Sequence, residues 1–276
     1  MNSDPAKITT VHDRFLSLMD ENHPEQVYQR FMEENTCLIP REFIQNHGIH
    51  FDLVLRKLSL AKDYAPDFFY LSKSSADWNL VLIEIEKPRS RYFKGQSNNL
   101  HPEFLAGLDQ IARWRAWFDN PANLTGFTDG TIAPIRKPMA RNPCHIKYVL
   151  VHGRRSEFEG SELRRGLIRA REAEDFHIIS FDSLLESLHS KGPLYLGIRK
   201  NEYVEIVSEE FVGESIFSWM EPTQLRISEG LRADIIRNKA NWRHHRTKGG
   251  GKVLESVLPT LGRCDALTQS SNATVS

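Results

Sequence analysis

Apolar and polar positions along the chain keep two different periods, and the places where the period changes mark out the elements. Val27, Phe31 and Met32 recur at helical spacing within EQVYQRFMEEN behind Pro24, which predicts a helix over about 24–35. Before it, residues 1–23 are mostly polar; Val11, Phe15 and Leu18 (or Met19) support only a short amphipathic turn. Ile49, Phe51, Leu53 and Leu55 then alternate with His50, Asp52, Val54 and Arg56, a strand signal with one imperfect face. Two short apolar runs follow, Phe68–Leu71 and Leu80–Ile85, which predict antiparallel pairing of 67–71 with 80–86. A polar loop, RSRYFKGQSNNLHP, leads into an apolar stripe over about 102–118, a strong helix.

The second half repeats the strand–helix rhythm. Residues 119–144 are punctuated by Gly and Pro and read as a long loop. Tyr148–Val151 predicts a strand, 160–173 a charged helix and His177–Phe181 another strand, with Asp182 as the cap of a helix over SLLESLHS. Two further strands are expected at Tyr195–Ile198 and Tyr203–Val207, then a helix over 223–246 that grows basic toward its end. From Gly249 the chain turns to GGG and then Ser, Thr and Asn, and from about 262 no fixed structure is expected. Alternating strands and helices indicate an α/β layered domain.

Composition narrows the classes. The 276 residues, 40% apolar and 26% charged, are enough for one large core, with or without appendages. Lys plus Arg and Asp plus Glu balance at 36 each, so nucleic-acid binding would need a local basic patch rather than a basic molecule. Cys37, Cys144 and Cys264 are odd in number and far apart, against a disulfide framework or zinc knuckle and in keeping with a reducing cytoplasm. The first residues lack an apolar signal core, and no window approaches a membrane span.

The apolar runs carry acids that a plain strand would not choose. Asp67 opens the first, and Glu84 and Glu86 end the second. Two residues apart on a strand, Glu84 and Glu86 share a face. Side by side they repel and are costly to desolvate unless something positive lies between them. A hard divalent cation, which takes oxygen ligands, answers that need; such an ion polarises phosphate and activates water.

The order Pro66–Asp67, then Glu84–Ile85–Glu86–Lys87, then Gln110 on the next helix resembles the PD-(D/E)xK nuclease motif. The wider set FMEEN, APDFFYL, LIEIEKP, LDQIARWRAWF, YVLVHGRR and HIISFDSLL resembles the Shedu anti-phage defence family over roughly residues 24–190. The resemblance implies a restriction-endonuclease-like mixed β-sheet core flanked by helices. It divides the chain into an N-terminal segment (1–23), a nuclease-like domain (24–200), a strand and helix extension (201–248) and a flexible tail (249–276). It implies a Mg2+- or Mn2+-dependent endonuclease acting on DNA in a cytoplasmic homo-oligomer. By position, Asp67 and Glu84 match the metal-binding acids and Gln110 the glutamine after the motif. Glu25 best fits the acid often supplied by the preceding helix, with Glu33 and Glu34 as rivals. The family's motif expects lysine at position 86, where this chain has Glu86. Lys87 points to the opposite strand face. The open alternatives are a cation from elsewhere (Lys57, Lys94 or Arg89), weakened or lost catalysis with DNA or protein binding kept, or Glu86 as a third metal ligand.

Taken singly, each acid has a plainer reading. Asp67 after proline suits a turn, and Glu84 and Glu86 suit a solvated edge paired with Lys87 or Arg89. His101, His145 and His152 lack metal-ligand spacing and read as structural. Trp114, Trp117 and Phe118 read as core. Gly153–Arg154–Arg155 suits a phosphate or a solvated basic turn, and the basic stretch 237–246 suits a nucleic-acid backbone or a solvated helix end.

Overall fold

Strands buried on both faces read as unbroken apolar runs, and the centre of this sheet is built that way. The computed structural model describes residues 5–186, 188–237 and 257–264. Strand β1 (Ile49–Arg56) pairs antiparallel with β2 (Phe68–Lys73), and β2 with β3 (Trp78–Ile85) in the register Phe68↔Ile83 to Lys73↔Trp78. Beyond β3, strands β4 (Cys144–Val151) and β5 (Phe176–Ile179) add in parallel. On the other side of β1 come β6 (Tyr195–Arg199, parallel), β7 (Val204–Ile206, antiparallel to β6), β8 (Leu225–Ile227) and β9 (Gly262–Arg263), giving the order β5-β4-β3-β2-β1-β6-β7-β8-β9. The chain is a mixed β-sheet core flanked by helices, the α/β class of the restriction-endonuclease-like fold.

The period-2 pattern decides which helices cover which face. Leu80 and Leu82 of β3, with Phe69, Leu71 and Leu150, pack under α3 (Pro102–Phe118) through Phe104, Ile111 and Trp114. Val81, Ile83 and Ile85, with Phe68, Tyr70 and Val149, pack under α1 (Pro5–Asp20) and α2 (Glu25–Glu34) through Phe15, Met19, Tyr28 and Met32. Helix α3 starts where the sequence says: Pro102 is its first residue and the His101 side chain accepts from Glu103 N–H.

Several expectations are corrected. The amphipathic turn near the N-terminus is a full helix, α1, because Val11, Phe15 and Met19 form a narrow stripe that reaches the core. The presumed loop 119–144 contains α4 (Pro121–Gly126) and a π turn over Phe127–Thr131, both anchored by Phe127, whose ring lies 5.2 Å from that of Phe118 and 5.6 Å from that of Phe69. Ile49, Phe51, Leu53 and Leu55 do not share one face. A bulge, with positive φ at Phe51 and Asp52, shifts the register between Ile49 and Val54, so Ile49 joins the α1–α2 side while Leu53 and Leu55 stay with α3. The charged helix shrinks to α5 (Glu162–Arg169), capped by Ser161. Asp182 is not a cap. It sits in the first turn of α6 (Phe181–Leu185) behind Ser180, and its carboxylate accepts instead from Arg154 Nε and Arg155 N–H. The helix expected over 223–246 begins as β8 and turns helical only in α8 (Glu229–Arg237), with residues 238–246 outside the described part. β9 falls in the stretch expected to lack structure, because Gly262 and Arg263 pair with Arg226 and Ile227.

Candidate active site

The β2–β3 register, extended one residue, sets Asp67 opposite Glu84 at the end of the sheet. Asp67 is 3% exposed, and its carboxylate accepts from Ile85 N–H (2.6 Å), Gln29 Nε2 (2.7 Å) and the Lys57 ammonium. Gln29 reaches it from α2 and also donates to Glu25 Oε1 (2.5 Å), one helical turn earlier. Lys57 follows β1 in a left-handed conformation (φ 45°), and its N–H bonds Asp67 O at 3.0 Å. A lysine there bears backbone strain that the Asp67 contacts hold in place. Burial works against the ammonium, yet Asp67, Glu84 and Glu25 outweigh it and hold its pKa above the usual lysine range.

Glu84 and Glu86 do share a face, in phase with Leu80 and Leu82. Glu86 comes close to α3 at Gly107, where an added Cβ would lie 3.6 Å from Glu86 Oε1. No hydrogen bond or ion pair joins either carboxylate to the described residues. The charges therefore press on one another. Burial, then Asp67 and Glu86, push the Glu25 carboxyl up to about 7. Burial, then Asp67 and Glu25, lift Glu84 well above the carboxylate range, and burial and Asp67 raise Glu86. Burial also raises Asp67, with Lys57 opposing.

Three of these carboxylates, Asp67, Glu84 and Glu25, act on one ammonium, Lys57, while Glu86 adds its charge from the α3 side. The donor set is oxygen-only and partly unpaired, which fits a hard divalent cation in kind. As placed, however, no three His, Cys, Asp or Glu side chains among the described residues gather closely enough to ligate one ion.

Of the rivals to Glu25, Glu33 lies near enough for its charge to raise Asp67 but is bound to Arg56 (2.6 Å), and Glu34 is exposed. Of the cations weighed to replace the motif lysine, Lys57 is at the acids. Arg89 donates to Asp20 O, and Lys94 is exposed on the loop before α3. Gln110 lies on α3 within one turn of Gly107, half-buried, and bonds none of the carboxylates among the described contacts. Gln29, which ties Glu25 to Asp67, escaped the sequence reading. Its signal was a polar side chain on the apolar face of α2 beside Tyr28 and Met32.

The plainer readings hold for other groups. His101 caps α3, His145 sits 3.7 Å from Asp77 on the surface, and His152 is buried between the Tyr92 and Phe104 rings, its pKa pushed down to about 4 by that burial. Arg154 binds Asp20 and Asp182, and Arg155 binds Glu186, so both guanidinium groups are engaged within the protein. Trp114 and Phe118 are core, while Trp117 is partly buried and donates to Asp63. A cleft of about 900 Å3 opens between α1, α2 and the β6–β7 side of the sheet, reaching Glu33 and Arg56 but none of the four carboxylates. No described helix is long and apolar enough to cross a membrane.

No curated protein matches the chain. A family model described as "Shedu protein SduA, C-terminal" matches residues 22–185, more than half of the chain and the whole stretch from α2 through α6. With Asp67, Glu84 and Glu25 all inside that match, the chain belongs to the Shedu family of anti-phage defence proteins.

Proposed function

We propose that the chain is a metal-dependent DNA endonuclease of a Shedu system, hydrolysing phosphodiester bonds at the sheet end that carries Asp67 and Glu84. The observation that supports this best is the imbalance there: Glu25, Glu84 and Glu86 are each raised by burial and by neighbouring carboxylates, Asp67 among them, and the Glu84 and Glu86 carboxylates have no hydrogen-bond or ion-pair partner among the described residues. Such an imbalance is a standing attraction for cations.

In this reading Asp67 and Glu84 would hold Mg2+ or Mn2+, with Glu25 and Glu86 adding negative charge and Gln110 flanking. A bound divalent ion would polarise the scissile phosphate and lower the pKa of a water molecule. Gln29 and Ile85 N–H fix the Asp67 carboxylate. Lys57 serves as the cation the motif places at position 86, offering its ammonium to charge that develops on the phosphate. Assembly as a homo-oligomer belongs to the same proposal and is read by sedimentation.

The test is incubation of the purified protein with plasmid and phage DNA in Mg2+ or Mn2+. Loss of intact DNA that disappears in Asp67→Ala plus Glu84→Ala is expected; equal loss from both proteins sinks the proposal. A second reading, a fold that binds DNA or a protein without cutting, draws on Glu86 and on the absence of three converging ligands among the described residues. It predicts metal-independent DNA binding with no cleavage under any divalent ion.

A further inference from the structure

Between the acid strand and α3 the chain makes a loop that spends many hydrogen bonds on holding a polar tip outward. Phe93 and Leu100 pair as an antiparallel bridge, and Lys94 N–H bonds Asn99 O at 2.9 Å. Gly95 turns the chain with φ +55° and open space around it, a conformation that costs glycine nothing. Ser97 donates from N–H and Oγ to Lys94 O, at 3.1 and 2.8 Å.

Outside partners clamp the base of this loop. Arg164 of α5 donates to Gly95 O (3.0 Å), Ser97 O (2.9 Å) and Asn98 Oδ1 (3.3 Å), and its guanidinium stacks 4.7 Å from the Phe93 ring centroid. Glu157 accepts from Tyr92 and Phe93 N–H, at 3.0 and 3.2 Å. Tyr92 and Phe93 are buried, whereas every residue from Lys94 to Asn99 is exposed. A loop needed only to connect β3 to α3 has no reason to fix an exposed polar tip so firmly; loops held like this on a rigid scaffold are where recognition groups sit.

The tip's chemistry is specific. The Gln96 and Asn99 amides make no bond to the described residues, and Asn98 uses only its oxygen, toward Arg164. Side-chain amides both donate and accept, and in a DNA groove that pairing matches adenine's N6 and N7 edge. Arg91 and Lys94, at the near end of the loop, are exposed and have no ion pair among the described residues, unlike Arg154, Arg155 and Arg115. Cations placed so can take phosphates. The far end of the loop runs through His101 into α3, whose Gly107 faces Glu86. The loop thus lies in the connection between the strand that carries Glu84 and the helix that lies against Glu86.

We propose that loop 93–100 is the element that reads DNA bases for this nuclease: Gln96, Asn98 and Asn99 contact base edges, and Arg91 and Lys94 contact the flanking phosphates. The assignment rests on the DNA-cutting reading above and adds its source of sequence preference.

The experiment uses the full chain carrying Asp67→Asn, which keeps DNA uncut, with selection from a randomised duplex library and titrations across salt. The parent is expected to enrich a short motif. Gln96→Ala plus Asn98→Ala plus Asn99→Ala is expected to flatten that motif by roughly tenfold or more at the positions read. Arg91→Ala plus Lys94→Ala is expected to keep the motif while lowering the slope of log affinity against log salt by about two. Arg164→Ala, which leaves every tip amide in place, is expected to blunt the motif by freeing the loop. Unchanged melting temperatures of the exposed-tip variants show that the fold is kept. An unchanged motif in the tip variant, or a parent with no motif at all, overturns the loop assignment and leaves the nuclease reading standing. A parent that binds no duplex at any salt overturns both.

Discussion

Replacing Glu25 by glutamine should stabilise this protein, and the gain should depend on pH in a defined direction. The Glu25 carboxyl moves from an ordinary 4.5 to about 7 because burial and the neighbouring Asp67 and Glu86 disfavour its charge. A change of that size corresponds to about 3 kcal/mol in favour of the neutral form. Glu25 is only half-buried, so solvent screening brings the figure down to about 1–2 kcal/mol. The sign follows from proton counts. Between pH 4.5 and about 7 the folded state holds a proton that the unfolded state has released, so stability falls as pH rises through that window. Below it Glu25 is neutral in both states and no penalty exists; above it the penalty is complete. Glu25→Gln removes the charge and keeps an amide able to bond Gln29. Urea unfolding should therefore find the variant about 1–2 kcal/mol more stable at about pH 8, with the gain vanishing near about pH 4. Saturating Mg2+ at the higher pH should shrink the difference, since a cation does for the carboxylates what the proton does. A variant no more stable than the parent at the higher pH, or one equally favoured at both, would refute the electrostatic argument.

Three further outcomes follow from the same geometry. Mg2+ should raise the melting temperature of the parent and not that of Asp67→Ala plus Glu84→Ala, as read by thermal unfolding with and without a chelator. Lys57→Met should cost about 2–3 kcal/mol at neutral pH, because Asp67 keeps its buried charge and loses its ammonium, while the half-exposed Lys57 limits the loss; denaturant midpoints measure it. Gly153→Ala should cost about 2–4 kcal/mol by the same assay, since Gly153 has φ +53° and its Cβ would meet Ser90 O at 2.5 Å.

What the sequence disclosed and what it withheld divide along physical lines. The β2–β3 pairing was legible because two nearly unbroken apolar runs, Phe68–Leu71 and Leu80–Ile83, lie between Pro66 and Pro88 and leave little choice but a central strand pair, and the side-chain period of two then fixes which acids face together. Helix α1 was under-read because its apolar stripe is only Val11, Phe15 and Met19 wide among polar neighbours, and its stability comes from packing on Tyr28 and Phe181 rather than from its own pattern. β8 was hidden in a helical expectation because three residues pair with β7, a partner that local pattern cannot announce. In the candidate site, the placing of Asp67 opposite Glu84 was legible from order along the chain. The Glu25–Gln29–Asp67 chain was not, because it depends on α2 crossing the far face of the sheet and presenting its first turn at the sheet's end. Lys57 could only be one of three cations at the sequence level, since its direction is set by a left-handed residue after β1, which residue spacing does not encode.

That left-handed residue also decides how to interpret Glu86. If the ammonium needed beside the acids arrives from β1, glutamate at the motif's lysine position is a relocation of the charge and not its loss. The two ideas separate in a pair of variants. With Lys57 as the working cation, Lys57→Met should lower cleavage by roughly a hundredfold or more, the size expected on removing one preorganised electrostatic contact. Adding Glu86→Lys to that variant should recover much of the activity, because position 86, just beyond β3, interacts with the same carboxylates, Asp67, Glu84 and Glu25. Glu86→Lys alone should help little, since it duplicates a charge already present and removes an acid from the cluster. The opposite pattern, with Lys57→Met harmless and Glu86→Lys alone activating, would mean that Lys57 only balances Asp67 and that the parent lacks its catalytic cation. Single-turnover cleavage of one duplex by the four proteins, with folding checked by their melting temperatures, makes the comparison.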